Sequence, residues 1–78
     1  SKQMLYATVI EKATKNYSAY VRDLPGCVAT GSTIEQVEQQ IKEAIEFHIE
    51  GLKIEGLPIP KPTTLCKYVE CDDAQRSA

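Results

Sequence analysis

Only one stretch of this chain repeats its apolar residues at helical spacing, and that stretch governs what the rest can be. Between Thr33 and Gly56, residues Ile34, Val37, Ile41, Ala44, Ile45, His48 and Leu52 fall within about 60° of one line at about 100° per residue. Thr33 is placed to cap this helix. Its hydroxyl can accept the N–H of Gln36, whose side chain can reach back, giving a T-x-x-Q capping box. Ser32 with Glu35 offers the same box one residue earlier, and Gly56 supplies the stop. Phe47 and Ile54 lie outside the stripe, near its opposite side, with Gly51 between. A helix of about five turns with one apolar stripe needs a sheet to lie on.

The flanking residues supply that sheet. Tyr6, Thr8, Val9 and Ile10 give residues 4–12 strand propensity, and the polar stretch 12–16 is a turn. Residues 17–23 form a second strand, with Tyr17, Ala19 and Val21 on one face and Ser18, Tyr20 and Arg22 on the other. Leu24-Pro25-Gly26 breaks the ladder, residues 27–30 form a short third strand, and Gly31 closes it. Beyond the helix, Pro58, Pro60 and Pro62 hold the chain extended, residues 65–70 read as a fourth strand, and the last residues as a flexible tail.

The expected architecture is α+β, in the order β-β-β-α-β: a four-stranded, mostly antiparallel sheet with one long helix on one face. It makes a single domain with a core at about residues 4–70 and a tail at 71–78. The first strand is apolar on both faces, Leu5, Ala7 and Val9 against Met4, Tyr6 and Ile10, so the sheet face away from the helix also needs a cover. A chain of 78 residues hides only about 60% of its unfolded surface, which favours a homodimer or tetramer. Met4, Tyr6, Ile10, Phe47 and Ile54 are the candidate oligomer interface.

Charge and cysteine usage narrow the function. Nine basic and eleven acidic residues leave a net charge of −2, without the basic stripe that direct nucleic-acid binding uses. No run of about 18 to 20 apolar residues marks a membrane span and no basic-then-apolar leader is visible, so the expected location is cytoplasmic. Three cysteines, Cys27, Cys66 and Cys71, are an odd number without a CxxC. A zinc site would need them to converge with His48, and the plainer reading is reduced thiols with no metal, disulfide or cofactor. Cys27 and His48 could be read as a nucleophile and base, but nothing beyond their presence supports that. The helix stripe already accounts for His48, and no phosphate-binding loop or dinucleotide glycine pattern occurs, so the chain reads as a non-enzyme.

One ordered set of motifs goes further. A strand ends in Asp23-Leu24-Pro25-Gly26-Cys27, Gly31-x-Thr33 opens the helix, and Pro58, Pro60 and Pro62 form a P-x-P exit. In this order, across about residues 5–70, the chain resembles the HicB antitoxin family. The resemblance implies a partial ribonuclease-H-like fold with strand order 3-2-1-4, the fourth strand parallel to the first. It also implies a partner: a HicA-type toxin, a small basic ribonuclease of mRNA whose active surface the antitoxin covers. Ribonuclease H chemistry is not implied, because it gathers acidic residues around divalent metal, and the first strand offers Tyr6 and Thr8, with Glu11 only at its end. Many family members continue into an operator-binding region. Here only eight residues follow Glu70, with Arg76 their one basic residue, and operator binding is not expected.

A basic toxin would suit the helix, where six acids against two lysines give residues 33–56 a net charge of −4. Glu43, Glu46 and Glu50 lie on or near its outer side, while Tyr20, Arg22, Leu24 and Pro25 offer a closer anchor. The competing reading is an orphan homo-oligomeric domain that binds another protein or a small ligand.

Overall fold

The first strand, β1 (Thr8–Lys12), and the second, β2 (Tyr17–Val21), pair antiparallel from Thr8↔Val21 to Lys12↔Tyr17. Their loop is closed where the Ala13 N–H donates to the Asn16 carbonyl at 2.7 Å. The third strand, β3 (Val28–Gly31), pairs antiparallel with β2, and the helix α1 spans Ile34–Ile54. The computed structural model describes residues 4–73; the expected tail at 71–78 thus falls partly outside the described residues.

The turn from β2 to β3 is built by its residue types. Pro25 presets one turn position and Gly26 takes φ 85° at the next, while the Cys27 N–H donates to the Leu24 carbonyl at 3.1 Å. That is the pattern of a type II turn, which asks for glycine at its third position. The Val21 N–H donates to the Cys27 carbonyl at 3.2 Å, so the ladder resumes directly after the turn.

Gly31 sets how closely the helix can approach. A Cβ there would lie 2.7 Å from the Val37 backbone nitrogen and 2.9 Å from its Cα. Only glycine lets β3 touch the first turn of α1. Thr33 caps α1 through its hydroxyl, which accepts the Gln36 N–H at 3.0 Å. The Gln36 side chain reaches back to the Ser32 N–H, one residue earlier than in the simple capping box. At the other end Gly56 takes φ 71°, its N–H donates to Lys53, and the Leu57 N–H donates to Leu52, the two bonds of a Schellman stop.

The helix lies over β3 and β2, with β1 outside its main footprint. Its 21 residues run about 31 Å, whereas strands of four or five residues run about 17 Å at most. Only its first half therefore sits on the sheet. Val37 and Ile41 are buried there with Ala19, Val21, Leu24 and Cys27, and Tyr6, Tyr17, Ala29, Ala44 and Ile45 pack around them. His48 and Leu52, further along the stripe, are only half-buried.

The expected fourth strand does not form within the single chain. Among the described residues the sheet has three strands in the order β1-β2-β3, and residues 57–73 carry no regular structure. Residues 65–70 have strand propensity, but they pair with no strand of their own sheet, and their backbone groups make no ladder there.

Candidate partner-binding surfaces

Register sorts the sheet into a covered and a bare face. Paired residues share a face, so Thr8 and Ile10 lie on the helix side with Val21, Ala19 and Ala29. Val9, Tyr20 and Val28 are direct partners across the three strands and make an apolar row on the bare side. Beside this row an open groove of about 370 Å³ is lined by Tyr20, Arg22, Pro25, Gly26 and Val28. Three of the expected anchors, Tyr20, Arg22 and Pro25, thus converge. Leu24 does not join them: it is wholly buried in the core with Ala19, Val21, Cys27, Val37 and Ile41.

The acids lie elsewhere. Glu43, Glu46 and Glu50 are exposed on α1, and Glu43 accepts a hydrogen bond from the Gln39 amide at 2.9 Å. Glu46, Ile49, Glu50 and Lys53 line a shallow depression on the outer side of α1. The helix covers the face opposite Tyr20, so the acidic surface and the Tyr20 groove are on opposite sides of the domain and form two separate surfaces.

The expected oligomer residues also divide. Phe47 and Ile54 are each 78% exposed, as their off-stripe positions require. Tyr6, by contrast, packs against the core, and its hydroxyl donates to the Pro60 carbonyl at 2.6 Å. Because both faces of this segment are apolar, alternation alone left open which face met the helix. The register turns Thr8 and Ile10 toward that side and leaves Val9, not Ile10, on the bare face. Ile10 is still exposed, as is Met4, since α1 does not extend over β1.

The segment after the helix returns to the domain and is latched by Asp23. The N–H groups of Thr63 and Thr64 donate to Oδ2 at 3.0 Å each, and their hydroxyls donate to Oδ1 at 3.1 and 2.9 Å. These donors hold the Asp23 carboxyl below its usual range; the Thr64 N–H contributes most, and desolvation works against it. Burial pushes the neighbouring Tyr6 phenol up, and the Asp23 charge adds to that. No spacing in the sequence links Asp23 to Thr64, and its place in the D-L-P-G-C motif is the one signal that could have drawn attention to it.

For chemistry the arrangement offers little. The Cys27 thiol is buried, and burial pushes its pKa up, which suppresses the reactive thiolate. His48 is a half-buried member of the helix stripe. Among the described residues no group of three or more His, Cys, Asp or Glu side chains is placed to hold a metal ion. No described helix is long and apolar enough to cross a membrane.

Comparison with known proteins places the chain in a family. The family model for the HicB-like antitoxin of bacterial toxin-antitoxin systems matches residues 6–77. The chain belongs to the HicB-like antitoxin family. A solved HicA3 and HicB3 toxin-antitoxin complex contains a chain 34% identical to this HicB-like domain, with a TM-score of 0.66, covering 76% of this chain and 69% of that one. A 14.9 kDa protein of Haemophilus phage HP1 is 39% identical over 66 residues, 85% of this chain. The HicB-like chain spans 50% of that phage relative's length. A UPF0150 protein of Synechocystis is 40% identical over 63 residues, 80% of each chain.

Proposed function

We propose that this HicB-like chain binds a HicA-type toxin and covers its RNA-cleaving surface, acting by occlusion and without catalysis of its own. The observation that carries the reading is the likeness, in sequence and in fold together, to a chain of a HicA3 and HicB3 complex. The residues support it physically. A toxin that grips RNA is basic, and residues 33–56 present six acids against two lysines. Since the acidic face and the Tyr20 groove point in opposite directions, one globular toxin rests on one of them. Charge favours the helix.

The finer features belong to the same reading. The chain makes a single partial ribonuclease-H-like domain with a core at about residues 4–70, its sheet completed in the assembly by a fourth strand in the order 3-2-1-4. It works in the cytoplasm as a homo-oligomer, without a cofactor and without gripping nucleic acid itself. The exposed Phe47, Ile54, Leu65 and Val69 support self-association, because so small a buried core leaves much apolar surface to cover. The test is direct: titrating the purified protein into a HicA-type ribonuclease should abolish RNA cleavage at a fixed stoichiometry. Undiminished cleavage at excess protein would defeat the reading and favour an orphan binding domain.

A further inference from the structure

β1 ends the sheet in an open edge, and the hydrogen bonds show which groups line it. The Arg22 N–H donates to the Ala7 carbonyl at 3.3 Å, and the Val21 N–H donates across to β3 at the Cys27 carbonyl at 3.2 Å. In an antiparallel ladder these directions alternate, so Ala7, Val9 and Glu11 turn their backbone groups toward β2. Thr8, Ile10 and Lys12 therefore point their N–H and C=O groups outward, where no strand among the described residues meets them. An open edge of this kind is a template for another strand.

The same chain carries a strand-like arm with nothing to pair with. Residues 65–70 start directly after the Asp23 latch on Thr63 and Thr64, beside the end of the sheet where β1 begins. Leu65 is 82% exposed, Val69 79%, and Tyr68 wholly so. Alternation puts Leu65 and Val69 on one face and Cys66 and Tyr68 on the other. Apolar residues on both faces mark a strand that is covered on both sides once it joins a sheet. The molecule measures 60 × 29 × 21 Å with a radius of gyration of 16.2 Å, whereas a compact chain of this length has about 11 to 12 Å. With every residue from 65 to 70 exposed, the arm stands off its own domain.

We infer that residues 65–70 supply the fourth strand to a second copy of the chain, pairing along the open edge of that copy's β1, and that two copies exchange arms about a two-fold axis. The inference rests on the homo-oligomeric part of the reading above and gives it a mechanism. A second copy is the fitting occupant because every chain brings an open β1 edge together with an unpaired arm that stands off its own sheet, and a symmetric exchange gives each arm an edge to pair with. The Asp23 latch and the Tyr6 hydroxyl keep residues 60–64 on their own domain. The crossing therefore falls at Thr64–Leu65, and the six arm residues reach about 20 Å.

Complementation tests this on the full chain. Ile10→Pro removes an outward N–H while sparing the ladder to β2, a position where an edge strand accepts proline. The double variant Leu65→Glu, Val69→Glu spoils the arm and touches only exposed side chains. Sedimentation should give the unaltered chain twice its 8.7 kDa mass, each variant alone a single mass, and an equimolar mixture a recovered dimer, since one variant keeps its arm and the other its edge. A monomeric unaltered chain would overturn both the exchange and the homo-oligomer. Variants that stay dimeric, or a mixture that fails to reassemble, would overturn the exchange alone. If Ile10→Pro does not fold, amide exchange at Thr8, Ile10 and Lys12 of the unaltered chain decides: protection that rises with protein concentration supports exchange, and protection independent of it refutes exchange. Toxin inhibition is read separately from all of these.

Discussion

The carboxylate of Asp23 accepts both the backbone N–H and the hydroxyl of Thr64, at 3.0 and 2.9 Å, across forty-one residues of chain. Thr63 repeats the pattern at the other donors, so one side chain fixes the course of the chain after the helix. The D-L-P-G-C motif therefore does two jobs. Pro25 and Gly26 turn β2 into β3, and Asp23, just before the turn, gathers in the return segment.

Asp23 makes this latch sensitive to acid. Its folded pKa lies below the ordinary 3.8, so the stabilisation is fully present above the unfolded pKa and fades as pH falls through the lower folded value. The Thr63 and Thr64 amide resonances should move together as the carboxyl protonates below about pH 4. Asp23→Asn should abolish that titration and open residues 60–64 to protease at neutral pH. Unchanged amide shifts in the Asn variant would show that the latch is not formed in solution.

Two small-volume changes should cost stability for opposite reasons. Leu24→Ala empties a wholly buried site and should cost about 2 to 5 kcal/mol. Gly31→Ala drives a methyl into the Val37 backbone and should cost about 1 to 3 kcal/mol. Tyr20→Ala, on the bare face, should shift the denaturant midpoint little. Equal losses at Leu24 and Tyr20 would contradict the register described above.

These particulars show what the sequence made legible. The helix was readable because its determinants are local: Thr33 and Gln36 are three residues apart, and Gly56 closes the end within one turn. The Pro25-Gly26 turn was readable for the same reason. The facing of the first strand was not, because Leu5, Ala7 and Val9 are as apolar as Met4, Tyr6 and Ile10, and only pairing with β2 decides between them. Leu24 looked like part of a surface turn, yet its burial depends on the sheet beneath. The Asp23 latch left no periodic trace at all, since four hydrogen bonds to two adjacent threonines need no pattern in between.

No cysteine should hold the fold through a metal or a disulfide. Cys27 is a free buried thiol, and Cys66 and Cys71 are free and exposed. Thermal melting should give the same midpoint with and without a chelator, and with and without a reductant. A fall of several degrees with either reagent would mean that a metal or a disulfide holds the domain together.

The last prediction concerns which side meets the toxin. Replacing Glu43, Glu46 and Glu50 together with Gln removes three negative charges from the exposed side of α1 and nothing from the core. Charges at the margin of an interface act chiefly on encounter, so association with a HicA-type toxin should slow about tenfold or more at low salt and lose most of its salt dependence. Dissociation should change little. Tyr20→Ala alters the opposite side of the sheet and should leave both rates within about twofold, although aromatic residues rank high among binding hot spots. Surface plasmon resonance at several salt concentrations separates the two. Faster dissociation from Tyr20→Ala, with the Gln variant unaffected, would move the toxin to the groove formed with Arg22 and Pro25.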